Sequence, residues 1–205
     1  DMAAVLDKQP LAAGPRMTVI TNAGGPGVIT TDEIVTGGGQ LAKISPEAMA
    51  EYNSFLPGAW SHNNPVDVLG DAPPAMYAKA LKVAGDDKES DGMLVILTPQ
   101  SVTKPTETAE ELAKYAHIEG KPVMASWMGG KDLEKGRAIL RDSGIPVFDS
   151  PDMAAKIFNY CWAYSSNKEQ MYEEPKAPLH AADPSGAKKI IEKALEEGRN
   201  LLTEN

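Results

Sequence analysis

The 205-residue chain reads as an α/β domain, a doubly wound, mostly parallel sheet with helices on both faces. Three observations predict it. Short apolar and β-branched runs alternate with segments of helical period along the chain, the signature of βαβ units. One of these runs, Met93-Leu94-Val95-Ile96-Leu97, is apolar without alternation, as a central strand buried on both faces must be. Another, Thr18-Val19-Ile20-Thr21, rises into the glycine-rich turn Asn22-Ala23-Gly24-Gly25-Pro26-Gly27, after which Val28, Ile29, Ile34 and Val35 begin a helical apolar pattern.

Residues 1–15 read as an entry segment, a short helix over Met2–Leu6 followed by the breakers Pro10 and Pro15. The domain proper spans 16–164. Its first strand is Met17–Thr21, and the helix after the turn runs to Thr36, where Gly37-Gly38-Gly39 stops it. Leu41–Ile44 forms a short second strand; Ser45 caps and Pro46 opens the next helix, which ends near Leu56-Pro57-Gly58. Val66–Leu69 is a third strand between polar loops. A helix over Pro74–Ala84 follows, with Met76, Tyr77, Ala80, Leu81 and Ala84 on one face. Beyond the central strand, Thr103 as cap and Pro105 in the first turn open a helix with Ala109, Leu112, Ala113 and Ala116 inward. Lys121–Trp127 is the next strand, and Gly129-Gly130 lead into a helix carrying Leu133, Gly136, Ile139 and Leu140. Gly144–Phe148 is the last strand, and Pro151 opens a helix to Tyr164. Residues 165–183 form a polar, proline-bearing linker. Asp183-Pro184-Ser185 then cap an amphipathic helix ending at Gly198, with Ala187, Ile190, Ile191, Ala194 and Leu195 on its inner face.

In such a sheet ligands sit beyond the carboxyl ends of the strands. The loops Asn22–Gly27, Thr98–Thr103 and Trp127–Gly130 fall there, and Asn64–Asp71 joins them from the side. Unpaired amides at a helix start attract an anion, and each such end carries about half a positive charge. A glycine-rich first turn also serves simply to pack helix on strand, and both readings stand. The glycine spacing matches neither G-x-G-x-x-G nor the G-x-x-x-x-G-K-[ST] phosphate loop. With helix starts after Gly27 and Thr103 and no strong nucleophile beside them, the domain is expected to hold a phosphoryl or carboxylate group that another region supplies. His62, His117 and His180 show no metal-ligand spacing, and Ser101 and Ser126 lack the elbow of a serine hydrolase. The single cysteine, Cys161, reads as a buried structural thiol and fits a reducing compartment. A net charge of −9 argues against nucleic-acid binding, and no apolar run approaches the ~20 residues of a membrane helix. Asp1–Asp7 lack the basic start of a secretion signal, so the expected location is the cytoplasm.

Three stretches carry a resemblance: Ile20–Val28, Trp60-Ser61-His62-Asn63-Asn64-Pro65-Val66-Asp67-Val68-Leu69-Gly70-Asp71-Ala72, and Leu97-Thr98-Pro99-Gln100. Together they resemble the nucleoside-diphosphate-forming acyl-CoA synthetases, which include ADP-forming acetate–CoA ligase and are related to succinyl-CoA synthetase. The likeness covers about residues 1–203, and Leu179–Glu204 resembles the connector that precedes an ATP-grasp domain in single-chain members. It implies a flavodoxin-like, three-layer fold, the second CoA-ligase domain of such an enzyme, similar to the C-terminal domain of the succinyl-CoA synthetase β subunit. In that family a phosphoryl group passes from ATP to a histidine and on to the acyl acid, and CoA then displaces phosphate. The resemblance places the helix after Thr98-Pro99-Gln100-Ser101 as one of two whose amino ends hold the phosphohistidine. It places Asn22, Gly24 and Gly25 at the border of the acyl and phosphate site, with Asn64 and Asp67 in a supporting loop. It implies CoA, ATP/ADP and Mg for the whole enzyme, a small carboxylic acid as substrate, and the CoA-binding, phosphohistidine and ATP-grasp domains or subunits as partners. The Ser-His-Thr-Gly-like run of the phosphorylated loop, the CoA-binding Rossmann unit and the ATP-grasp site have no match here. The expectation is therefore a domain or subunit with no catalytic residue, metal or cofactor site of its own, inactive alone. Two other readings are a regulatory synthetase-like region of a protein acetyltransferase and a free-standing anion-binding, flavodoxin-like module. Flavin is disfavoured because Asn22–Pro26 replace the Ser/Thr-rich phosphate loop.

Overall fold

At the centre of a six-stranded, all-parallel sheet lie β1 (Arg16–Thr21) and β4 (Gly92–Leu97), paired from Met17↔Gly92 to Thr21↔Ile96. β4 is buried at every position, which is what its unbroken apolar run demands. β5 (Val123–Trp127) and β6 (Val147–Phe148) continue the sheet on one side, and β2 (Gln40–Leu41) and β3 (Val66–Asp67) both pair with β1 on the other. This computed structural model describes residues 2–172 and 185–199. The chain divides into two compact units, Asp1–Gln170 and Met171–Asn205.

Helices cover both faces, so the α/β, three-layer expectation holds. On one face α1 (Met2–Lys8), α2 (Gly24–Thr36) and α7 (Pro151–Tyr172) enclose a core of Val5, Met17, Val19, Ile34, Leu94, Ile96, Phe148 and Phe158. On the other, α3 (Pro46–Phe55), α4 (Pro74–Asp86), α5 (Pro105–Ala113) and α6 (Glu134–Ser143) cover a larger core holding Trp60, Tyr77, Leu81, Val95, Leu112 and Trp127. Since α2 follows β1 onto one face and α5 follows β4 onto the other, the chain reverses direction between these two strands. The two loops that leave them open at the same rim.

The edge beside β1 is built in two pieces. β2 pairs at the amino end, Arg16↔Gln40 and Met17↔Leu41, and β3 at the carboxyl end, Ile20↔Val66 and Thr21↔Asp67. Between them the Asn64 carboxamide fills the gap. Its Oδ1 accepts from Val19 N (3.0 Å), and its Nδ2 donates to Met17 O (2.8 Å) and Ala42 O (2.9 Å). A side chain thus completes a ladder that a continuous strand would have made with backbone.

Several elements differ from their sequence reading. β2 stops at Leu41 because Ala42 turns toward Asn64 and Ser45 N donates to the Asp87 carboxylate as α3 begins. β3 stops at Asp67 because Leu69 sits at φ 72. Lys121 leaves β5 to donate to the Gly85 and Asp87 carbonyls, and Gly144, at φ 97, caps α6 rather than opening β6. Lys104, not Thr103, occupies the N-cap of α5. Of the apolar residues on α2 only Ile34 is buried, while Val28, Ile29 and Val35 face outward. α7 runs on to Tyr172, past the end expected near Tyr164: its polar residues sit on a solvated face, and Ser165 Oγ donates back to Cys161 O. The entry segment is tied into the first unit by Gln9. Its amide donates to Ala116 O and Gly144 O and accepts from Val123 N. Of the expected linker, 173–184 lie outside the described residues, including the Asp183-Pro184 cap. In the second unit α8 (Ser185–Glu196) forms where a helix was expected, but of the expected inner face only Ala194 is buried; Ala187, Ile190, Ile191 and Leu195 are exposed, and the helix stops two residues before Gly198.

Asn64→Ala removes three bonds to buried backbone groups and is expected to lower unfolding free energy by about 3 kcal/mol, measured by urea denaturation. At the amino end of β1, burial works to raise the Asp91 carboxyl. Arg16 donates to it from Nε, Nη2 and its backbone N and holds it below its ordinary value. A depressed carboxyl contributes stability above its unfolded pKa and loses it as pH falls through the folded one. Asp91→Asn should therefore cost stability at neutral pH and flatten the acid limb of a stability-versus-pH curve below about pH 4.

Candidate functional site at the carboxyl rim

The rim is assembled by four loops, and the contacts between them are side chain to backbone. Asn22, 3% exposed, donates from Nδ2 to Thr98 O (2.8 Å) and accepts at Oδ1 from Thr98 N (2.9 Å). Those two bonds extend the β1–β4 ladder one step beyond its last backbone pair, Thr21↔Ile96. Gln100 Nε2 reaches Asn22 O at 3.3 Å, and its amide packs so tightly on Gly70 that a side chain at Gly70 would overlap it. Pro99 lies against Gly129, and Pro65 against Gly27. So the structure brings together Asn22–Gly27, Asn64–Asp71, Thr98–Thr103 and Trp127–Gly130, the four stretches singled out in the sequence.

Within that rim the expected site residues take different parts. The Asn22 side chain is consumed by Thr98 and its carbonyl accepts from Gln100 Nε2, so this buried residue ties the rim together. Thr21 Oγ1 donates to Ala23 O and accepts from Ala23 N, fixing the turn. Gly24 and Gly25 then open α2 exposed, and a side chain at either would meet nothing within 4 Å. No side chain caps this end and no acidic residue lies in its first turn; Pro26 has no N–H and Gly27 N donates to Ala23 O, which leaves the Gly24 and Gly25 amides as the unpaired donors. The amino end of α5 is less open. Pro105 at its first position has no N–H, Glu107 sits in its first turn, and Lys104 at the cap adds a cation. In the loop before it, Gln100 N donates to Thr103 Oγ1 and Thr103 N to Gln100 O, so two amides are spent internally. Pro99, Gln100 and Ser101 are exposed and Thr98 is half-buried. Asn64 is buried in the sheet edge. Asp67 accepts from Leu69 N through Oδ1, bracing the left-handed turn at Leu69. Tyr77, buried beneath, is held neutral by burial and then by the Asp67 charge.

Arg137 is the rim residue that the sequence reading missed. Buried on α6, it donates to Trp127 O from Nε and Nη2 and to Gly129 O from Nη2, with Glu134 and Asp149 on its other side. A lone arginine in an amphipathic helix reads as solvated, and nothing in its spacing announces a loop clamp. His62 is exposed at φ 48, tilted against the Trp60 ring with Nε2 3.1 Å from Gly58 O, and takes no part in the rim. Cys161 is buried and its thiol pushed up by that burial, as expected of a structural cysteine.

A groove of about 900 Å³ lies between α3 and the end of α4. It is walled by Glu47, Glu51, Asp86, Asp87 and Glu89 against Lys43 and Lys88, and it adjoins the turn into β4 at the amino ends of the strands. Its surplus of carboxylates repels an anion. Among the described residues no cluster of three His, Cys, Asp or Glu side chains could hold a metal ion. Among the same residues no helix is long and apolar enough to cross a membrane.

Residues 17–169 match the Ligase-CoA domain family. The chain belongs to that family. It is 34% identical over 188 residues to an ADP-forming acetate–CoA ligase I of Archaeoglobus fulgidus, covering 91% of this chain and 26% of that protein. It is 37% identical over 155 residues to the α subunit of ADP-forming acetate–CoA ligase II of Pyrococcus furiosus, covering 73% of this chain and 34% of the subunit. Among solved structures, dinucleotide-forming acetyl-coenzyme A synthetase 1 of Ca. Korarchaeum cryptofilum superposes with a TM-score of 0.75 at 28% identity, over 84% of this chain and 39% of that one. The chain thus spans about a quarter to two fifths of the relatives it matches. The domain family and its kinship with ADP-forming acetate–CoA ligases are those the three sequence stretches pointed to.

Asn22→Ala would leave the Thr98 N–H and carbonyl without partners and is expected to cost about 2 kcal/mol in urea unfolding. Hydrogen exchange at the Thr98 amide should accelerate in the same variant while Val95 stays protected. Equal protection at both positions would deny Asn22 its bridging role.

Proposed function

We propose that this chain is the anion-holding ligase domain of an ADP-forming acyl-CoA synthetase, which joins a small carboxylic acid to CoA at the expense of ATP through a phosphohistidine. The observation that carries it is the amino end of α2: two glycines open to solvent, no side-chain cap and no acidic residue in the first turn, beside a loop locked to it by Asn22. A doubly charged phosphoryl group fits such an end. Gly24 N and Gly25 N would donate to its oxygens, and Gln100, Ser101 and the Lys104 end of α5 would approach from the neighbouring loop. A Ca. Korarchaeum cryptofilum synthetase 28% identical to this chain has been solved in complex with phosphate and ADP, which supports the phosphate chemistry. Histidine, CoA and ATP sites would come from other domains or a partner subunit of the same synthetase. The chain's part is to bind and orient the transferring group and stabilise its charge by backbone dipoles.

Glycine in a helix interior costs about 0.5–1 kcal/mol relative to alanine, and Gly25 lies in the first turn with open space where a methyl group would go. Gly25→Ala should therefore leave stability unchanged or raise it. In the full-length synthetase it should slow acyl-CoA formation by roughly tenfold, because the methyl group occupies the space above the amides. A fully active Gly25→Ala enzyme would remove α2 from the site. The isolated chain, supplied with acetate, ATP, Mg and CoA, should form no acetyl-CoA; formation of acetyl-CoA would overturn the assignment of a non-catalytic domain.

A further inference from the structure

Arg137, 8% exposed on α6, spends its guanidinium on the main chain of one rim loop. Nε and Nη2 donate to Trp127 O at 3.2 and 2.6 Å, and Nη2 donates also to Gly129 O at 3.0 Å. Nη1 faces Glu134 at 2.8 Å and Asp149 at 3.4 Å. Trp127 stands one step beyond the last β5–β6 pair, Ser126↔Phe148, so its carbonyl accepts from the arginine where a longer β6 would have served. A buried ion pair can often be replaced by packed apolar side chains with no loss of stability. Stability alone therefore does not account for an arginine at this position.

The loop that Arg137 grips leans on the loop of the proposed site. Met128 N donates to Leu97 O at 3.0 Å, Thr98 Oγ1 reaches Met128 Sδ at 4.0 Å, and a side chain at Gly129 would crowd both Leu133 and Pro99. Pro99 begins the stretch that carries Gln100, Ser101 and the Lys104 end of α5. Within that stretch Gln100 N donates to Thr103 Oγ1 and Thr103 N to Gln100 O, which fixes its shape but not its place. Its place is set from one side by Asn22, through Thr98 and Gln100, and from the other by Trp127–Gly130. The Gly129–Gly130 peptide is trans, so a carbonyl turned toward Arg137 leaves the Gly130 N–H pointing the opposite way.

We infer that Arg137 is a positioning residue for phosphoryl transfer: through the Trp127–Gly130 loop and Pro99 it sets where Gln100 and the amino end of α5 stand relative to the group held at α2. This rests on the phosphoryl-holding reading of the rim. With carbonyls on one side of its guanidinium and carboxylates on the other, Arg137 acts through the loop and not on the reacting group. The planar fork presents its donors at fixed spacing and grips two carbonyls of one loop at once. A lysine ammonium, a compact charge on a flexible stem, fixes neither their spacing nor their angle.

The test is made on the full-length synthetase carrying Arg137→Met, well below its unfolding temperature. The kcat for acyl-CoA formation should fall roughly tenfold with KM for ATP and CoA unchanged, the scale expected when a remote group lets the reacting centre shift. Asp91→Asn, which also loses arginine bonds but at the amino end of β1, should keep the wild-type kcat while lowering the melting temperature. Hydrogen exchange at the Gln100 and Thr103 amides should accelerate in Arg137→Met and not in Asp91→Asn. Wild-type kcat in Arg137→Met overturns the proposal. If exchange is then unchanged, the failure is that of Arg137 alone; if it is faster, the loop moves without cost to the reaction and the phosphoryl reading of that loop fails too. An equal loss of kcat in both variants traces the effect to stability and overturns the proposal, as does a loss in Arg137→Met without faster exchange at Gln100 and Thr103. Where Arg137→Met does not fold, Arg137→Lys, which keeps a cation beside Glu134 and Asp149 but not the fork, is read by the same criteria with about a threefold loss expected.

Discussion

The rim depends on one carboxamide. Parallel strands that send their helices to opposite faces must part company at the switch point, and beyond it the backbone can no longer pair with itself. Asn22 postpones the parting by one step: its side chain offers the donor and acceptor that a further residue of β1 would have offered, and Thr98 takes both. The chain can then turn away at Ala23 into α2 with its amides exposed while β4 remains anchored. Without that tie, the α2 amides and the Gln100 loop would have no common frame.

Asn64 applies the same physics at the sheet edge. There the missing element is the middle of a strand, and the carboxamide supplies its hydrogen bonds to Val19 and Met17 between β2 and β3. Breaking the edge strand in this way lets the segment from Trp60 to Ala72 leave the sheet, fold over Tyr77 and bring Gly70 beneath Gln100. Burying two amide side chains is expensive unless every polar atom is partnered. Both are, so the cost is met and the geometry of the loops is fixed by bonds with narrow angular tolerance.

What was legible in the sequence is what leaves a periodic trace. Met93–Leu97 could only be a strand covered on both sides, and a glycine cluster after Thr18–Thr21 could only be a tight strand-to-helix turn, so the sheet, its order of elements and the rim loops followed. Asn22, Asn64 and Arg137 were opaque in their roles because a side chain that substitutes for backbone, or grips it, has no characteristic spacing. Residues 165–172 were misjudged because serine, asparagine and glutamate suit a linker and a solvated helix face equally well, and only the absence of a proline before Pro175 distinguished them. On α2 the pattern of apolar residues was right for a helix but silent on its facing, since Gly27 and Thr30, not Val28 and Ile29, turned out to share the buried side with Ile34.

The distribution of labour within the rim follows from which groups are free. Its side chains are mostly spent on holding loops together, whereas the groups left over are main-chain amides and the positive end of a helix. Such groups recognise charge and tetrahedral oxygen geometry, not the identity of whatever bears them. A site of that kind can accept a phosphoryl group whether it is attached to a side chain or to an acid, and it needs no change of its own as the group moves between them. On the function proposed above, discrimination among acids and the nucleophiles both come from other regions of the synthetase. What Gly24 and Gly25 bring to such a rim is access to the backbone, because neither carries a side chain over its amide.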